Sequence, residues 1–162
     1  MDTSRREMSA ATEIANLLYR YCAFVDAGDL VAACTLFQHA KLKMITSTEL
    51  QDYKAMLALL QQVIIIYPDG TPKTKHVVSN PMIEIDEAKR TATSLSYYTV
   101  FQATENIPLQ VIANGRYLDK FEYVDGHWRF SYREGVSDML GLISGHLRLD
   151  AKLLAGLGNN NK

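Results

Sequence analysis

Apolar side chains recur over the first forty residues at the spacing of a helix. Ile14, Leu17, Leu18, Tyr21 and Val25 stand at i, i+3, i+4, i+7 and i+11, one stripe along a helical cylinder. Ser9 or Thr12 caps the start of this helix, and Gly28 ends it, because glycine accepts the left-handed turn at a helix C-terminus. Asp29 then caps a second, short helix with Leu30, Ala33, Cys34 and Phe37 on one face. A brief strand is expected over Lys41–Ile45. A third helix is expected from Ser47 or Thr48 to about Gln62, with Tyr53, Met56, Leu57 and Leu60 inward.

The period changes after Tyr67-Pro-Asp-Gly-Thr-Pro72, a run of turn residues. Lys75–Asp86, Thr91–Gln102, Leu109–Val124 and Trp128–Val136 are rich in Val, Ile, Thr, Tyr and Phe and read as strands. Turns fall at Glu87-Ala-Lys89 and at Asp125-Gly126, and the Asp-Gly pair is a sharp hairpin signal. Helices first and strands afterwards predict an α+β fold rather than alternating α/β. Leu109–Val124 is far longer than the usual strand of ~5–6 residues, so the sheet must curl, with Gly115 well placed for a bulge. N-terminal helices laid across the concave face of a strongly curved antiparallel sheet make a cone-shaped α+β barrel, with room for a small apolar ligand between the layers.

Composition narrows the class. At 162 residues the chain predicts one domain over 1–162, with a core at about 10–140, a tail over 147–162 and fraying at Gly158 to Lys162. Hydrophobic residues at 48% exclude a disordered chain. Seventeen Lys and Arg against 18 Asp and Glu give a net charge of −1, which argues against a nucleic-acid partner. No purely apolar run, Val63 to Ile66 included, approaches the ~20 residues that span a bilayer, and Met1 to Ala10 has no apolar signal core. No membrane association is expected. Cys22 and Cys34 lie in apolar helical stretches and read as buried thiols in a reducing cytoplasm. No histidine cluster has metal-ligand spacing, and GxSxG, P-loop and GxGxxG motifs are absent, so neither metal nor cofactor is expected.

Several blocks carry a resemblance: Tyr21-Cys-Ala-Phe-Val-Asp26-Ala-Gly-Asp29, Lys75-His76-Val-Val-Ser-Asn80 and Ile83-Glu-Ile-Asp86, then Ala92 to Phe101, Gly115-Arg-Tyr-Leu-Asp119, and Asp125-Gly-His-Trp128-Arg-Phe-Ser-Tyr-Arg133. In this order they resemble the SnoaL-like branch of the nuclear-transport-factor-2-like superfamily, over roughly residues 10 to 140. That superfamily holds dehydratases, dehydrochlorinases, isomerases, polyketide cyclases and proteins without catalysis. In its scytalone-dehydratase-like and dehydrochlorinase-like members, an aspartate ends the first long helix and a histidine begins the first long strand. The resemblance implies a catalytic dyad at Asp26 and His76, with histidine as general base, and a bile-acid-dehydratase-like tyrosine at Tyr21. The chain departs from the pattern where those dehydratases carry a further acidic residue; here the strand reads Tyr97-Tyr-Thr-Val-Phe101.

Read on their own, these residues leave two readings open: Asp26 as a solvated residue before Gly28, His76 as a strand histidine bound to a backbone carbonyl and the tyrosines as packing, or the chemistry that follows. Asp26 falls beside Cys22 and Leu18 at the edge of the buried stripe, where a carboxylate needs a partner. An imidazole such as His76, with an ordinary pKa near ~6.5, accepts a proton at neutral pH, and a carboxylate fixes its tautomer. His39, His127 and His146 offer less. Tyr21 and Tyr98 are the preferred hydroxyls for holding a substrate oxygen, ahead of Tyr97, Tyr117 and Tyr132. Asn114 and Arg116 share one face of the long strand, and Asn114 is expected to face the cavity, since a buried amide needs no charge compensation. Arg133 either binds an anionic or carbonyl group or pairs with Asp119 or Glu134.

The expected activity is therefore that of a cofactor-independent lyase or isomerase, dehydratase-like, acting on a small apolar molecule that carries an oxygen or a halide. The alternatives are a polyketide cyclase using the same pocket and a non-catalytic ligand-binding or assembly module. Either way, the long strand's face favours a homodimer or homotrimer.

Overall fold

The computed structural model describes residues 8–44 and 47–148. Helix α1 (Ala10–Asp26) starts where the Ser9 side chain accepts the Thr12 N–H. Gly28, at φ +78°, turns the chain off its end, and a methyl group there would collide with the Gly70 carbonyl. The Asp29 carboxylate caps α2 (Leu30–Thr35) through the Ala32 N–H at 2.9 Å. Two short strands follow, β1 (Lys41–Lys43) and β2 (Leu50–Gln51), then α3 (Tyr53–Val63).

The expected third helix is corrected at its start. Leu50 and Gln51 pair back onto β1, and Asp52 is the cap, accepting the Ala55 N–H at 2.9 Å. Strand pairing to a distant segment overrides the local helical signal at Ser47 and Thr48. The first strand stops at Lys43, and its expected end at Ile45 lies outside the described residues.

Four long strands complete the chain: β3 (Thr74–Asp86), β4 (Thr91–Thr104), β5 (Ile107–Val124) and β6 (His127–Leu140). The sheet order is β2-β1-β6-β5-β4-β3, antiparallel throughout except that β1 runs parallel to β6. It does not close, and α1 lies along the edge strand β3. The fold is α+β, with the helices on the concave face of a curved sheet.

Side chains alternate across the sheet. Ser94, Ser96, Tyr98, Val100 and Gln102 of β4 point inward, and so do Gly115, Tyr117, Asp119 and Phe121 of β5. Asn114 has the opposite parity and stands on the outer face with Arg116, binding the Tyr98 carbonyl and Thr99 hydroxyl at 3.0 Å each. The expectation that Asn114 faces inward is thus corrected: its register partner Thr99 is also outward, between buried Tyr98 and Val100. The expected bulge at Gly115 lies instead in the partner strand, where Asp138 is the additional residue between Ser137 and Met139. Gly115 has a different task. A methyl on it would overlap the Val136 carbonyl and stand 2.6 Å from the Tyr98 hydroxyl.

The cone is graded along its length. Phe37, Phe121 and Phe130 fill its middle, with ring centroids 4.5 and 4.9 Å apart, and each is essentially inaccessible. Burying such a ring contributes roughly 1.5–3 kcal/mol. Trp128 packs on Tyr123 at 5.4 Å toward the β5–β6 hairpin. After β6 the chain returns to the helices, where Leu147 bridges Ile64 and the Arg148 N–H reaches the Val63 carbonyl at 2.7 Å. The expected tail is therefore docked at 147 and 148, while Gly158 to Lys162 lie outside the described residues. Among the described residues no helix is long and apolar enough to cross a membrane.

Candidate active site

Two local features bring a carboxylate to an imidazole. Asp26 is the last residue of α1, and Thr74 and His76 take alternate inward positions at the start of β3. Asp26 Oδ1 accepts the Thr74 hydroxyl at 2.8 Å and lies 2.6 Å from His76 Nδ1. Its Oδ2 accepts the backbone N–H of His76 at 2.7 Å. Both side chains are only 9% exposed. Burial pushes the Asp26 carboxyl upward, but the hydrogen bonds from His76 and Thr74, with the His76 charge, outweigh it and hold the carboxyl below its usual range. An ionised Asp26 fixes a proton on His76 Nδ1 and leaves Nε2 as the basic nitrogen. The pair lines an open cleft of about 470 Å³, together with Tyr19, Cys22, Lys75 and Val78.

Tyr21, Tyr98, Tyr117 and Arg133 form a buried cluster of their own, and none of them lines that cleft. Tyr21 meets Tyr117 edge-on at 6.0 Å, and Tyr117 stacks on Tyr98 at 4.6 Å. The Tyr21 hydroxyl has no hydrogen-bond partner among the described residues, whereas that of Tyr98 pairs with Ser137 Oγ at 3.1 Å. Burial raises the Tyr21 phenol well above its ordinary range, so it is an O–H donor at any physiological pH. Arg133 binds Asp119 in a fork, Nε to Oδ1 at 2.7 Å and Nη2 to Oδ2 at 2.9 Å. The rings of Tyr21, Phe37, Tyr117 and Phe130 surround its guanidinium at 4.2 to 4.9 Å. Burial opposes that charge, but the Asp119 carboxylate outweighs it and holds Arg133 protonated. Arg133 Nη1, Ser94 Oγ and Ser96 Oγ are buried without partners among the described residues.

Residues 6–134 match the family model of the SnoaL-like domain. The chain belongs to the SnoaL-like family. No curated protein matches its sequence. Solved structures with the same fold include a protein of unknown function from Mycobacterium tuberculosis, 21% identical, covering 91% of this chain and 84% of its own, with a TM-score of 0.63. A candidate scytalone dehydratase from Novosphingobium aromaticivorans is 21% identical over 81% of this chain and 85% of its own, at 0.61. The β subunit of a candidate aromatic-ring-hydroxylating dioxygenase from that organism is 20% identical over 82% and 91%, at 0.62.

Within the SnoaL-like cone, then, Asp26 and His76 meet at the cleft, Tyr21, Tyr98 and Arg133 gather around Tyr117 in a buried cluster, and Asn114 stands outside. One further residue was not singled out by the sequence. His146, in the segment after β6, is 8% exposed and lies near enough to His76 and Asp26 for their charges to act on it. Among the described residues no group of three or more His, Cys, Asp or Glu side chains converges as a metal site.

Proposed function

We propose that this SnoaL-like protein is a cofactor-independent lyase or isomerase working by proton abstraction. The observation that carries this reading is the engagement of both Asp26 oxygens by His76 at the wall of a cleft. His76 Nε2 takes a proton from a carbon beside a carbonyl or a leaving group. The C–H electron pair becomes the new double bond, and a β-hydroxyl or halide departs with its own bonding pair. In an isomerisation the proton returns to a different carbon. Asp26 stabilises the imidazolium formed, a contribution of ~10²–10⁴-fold for a placed general base. Tyr21 is favoured over Tyr98 for holding the substrate oxygen, since only its hydroxyl is uncommitted. The apolar, ring-rich interior favours a small oxygenated or halogenated molecule in a cytoplasmic setting, where the two free cysteines stay reduced.

The test is a panel of cyclic β-hydroxyketones, 2-tetralone and halogenated cyclohexanes, followed in deuterium oxide by mass spectrometry and proton NMR. Turnover or deuterium uptake that falls at least ~10²-fold in His76→Ala, with an unchanged circular dichroism spectrum, supports the reading. Full activity in that variant sinks it.

A second reading concerns assembly. Val77, Tyr97, Val111, Leu118 and Met139 are exposed on the outer side of the sheet, and covering them in a homodimer or homotrimer is compatible with either a catalytic or a binding role. Sedimentation equilibrium with Leu118→Glu tests it: dissociation is expected, and an unchanged mass removes this face from the interface.

A further inference from the structure

His146 is fixed by its backbone alone. Its N–H binds the Ile143 carbonyl at 2.9 Å and its carbonyl accepts the Ile65 N–H at 2.8 Å. The preceding carbonyl, of Gly145, accepts from both the Tyr67 hydroxyl at 2.7 Å and Gln102 Nε2 at 2.9 Å. Gln102 is the register partner of Thr74, whose hydroxyl binds Asp26, so these bonds seat the His146 turn over the dyad's end of the sheet. The imidazole itself is left over. Neither ring nitrogen has a hydrogen-bond partner among the described residues, and Nδ1 is sealed from solvent. A buried polar group without a partner is costly. Because Nδ1 is sealed and Nε2 is not, Nε2 is the nitrogen that an incoming partner can reach.

We propose that His146 is the second imidazole of the site, a hydrogen-bond donor to the substrate oxygen while His76 takes the proton. This rests on the proton-abstraction reading above. As the C–H bond breaks and its proton passes to His76 Nε2, the electron pair moves into the carbon skeleton and negative charge grows on the carbonyl oxygen. The His146 Nε2–H donates to that oxygen as a second donor beside the Tyr21 hydroxyl, and transfers no proton of its own. Where a β-hydroxyl leaves, it takes the proton from His76 and departs as water. Burial first, and the His76 charge second, pull the His146 pKa down to about 4, against the opposing effect of Asp26. The ring is therefore uncharged at neutral pH, the state in which an imidazole polarises a carbonyl without competing for the proton. Among the described residues, the charges that act on it are those of His76 from β3 and Asp26 from α1, while Tyr67 and Arg148 bind the neighbouring backbone carbonyls of Gly145 and Ile64.

Two measurements on the full chain decide the matter. In the first, histidine ring signals are followed by nitrogen-15 and carbon-13 NMR while 2-naphthol, a flat phenol, is added. The expected result is a shift of the His146 ring in the wild type and in His76→Gln. Unmoved His146 signals overturn the proposal, whether or not any turnover has been found. In the second, deuterium uptake by 2-tetralone is compared at pH 7. His146→Phe should lower kcat by ~10²-fold with little change in KM, and His146→Gln, which restores an N–H donor, should recover most of it. Equal rates in wild type and His146→Phe reduce His146 to packing. If the wild type exchanges no deuterium, the proton-abstraction reading loses support and the naphthol shifts alone judge His146 as a ligand contact.

Discussion

His76 engages both carboxylate oxygens of Asp26, Oδ1 by its ring Nδ1 at 2.6 Å and Oδ2 by its backbone N–H at 2.7 Å. Ring orientation and strand position are thus set by one side chain, and the amide of Asp26→Asn can satisfy only part of this. Its NH₂ has no N–H acceptor role, so the His76 tautomer reverses or the contact breaks. Turnover is expected to fall by ~10²–10⁴-fold while the thermal midpoint moves by only a few degrees. Parallel activity and melting assays check this, and an active Asp26→Asn would show that the carboxylate is merely structural.

Asp119 and Arg133 form a fully buried fork, 0% and 6% exposed at their side chains. Breaking such a pair from one side strands a charge among aromatic rings, so Asp119→Leu alone should cost ~3–5 kcal/mol. The double variant Asp119→Leu/Arg133→Met should recover a large part of that loss. Urea unfolding of the two singles and the double closes the cycle. A double variant weaker than the sum of the singles would contradict the stranded-charge account.

At Gly115 the backbone of β5 approaches Val136 and the Tyr98 hydroxyl too closely for any side chain. Gly115→Ala must push Tyr98 off Ser137 or open the β5–β6 ladder, at a cost of about 3 kcal/mol. Adding Tyr98→Phe removes the oxygen that the methyl meets 2.6 Å away and should restore part of the stability. Chemical denaturation of both variants is the measurement.

His146 gives stability a defined acid dependence. Its pKa is about 4 in the fold against 6.5 when unfolded, so between these values the unfolded chain binds the extra proton. Stability is therefore lost as pH falls from 6.5 toward 4, by up to about 3 kcal/mol from this group alone. Asp26, whose folded pKa is depressed, adds its own loss as pH falls below the unfolded carboxylate value and through the folded one. His146→Gln should flatten the upper part of the curve, which denaturation at stepped pH would reveal.

The long strands were legible because β-branched and aromatic runs separated by Asp125-Gly126 and Glu87-Ala-Lys89 need no tertiary information. Asp26 and His76 were legible through the resemblance, fifty residues apart though they are. The side of Asn114 was readable and misread. It shares parity with Arg116, Lys120 and Glu122, while the other parity holds Gly115, Tyr117 and Phe121 with a single charged residue, Asp119, which is matched by Arg133, so charge predominates on the outer face. His146 was beyond local reading, because its place depends on Leu147 bridging Ile64 and on Gln102 holding Gly145. The start of α3 failed for the same reason, a two-residue strand paired at a distance.

The packing of Trp128 on Tyr123 sets what light can report. Trp128 is the chain's single tryptophan, and it sits by the β5–β6 hairpin, whereas His76 pairs with Val100, nine positions up β4 from the Thr91–Glu122 level. At a rise of about 3.3 Å per residue that separates fluorophore and dyad by roughly 30 Å along the sheet. Indole emission will therefore follow loss of the hairpin end during unfolding and stay dark to a molecule entering beside His76.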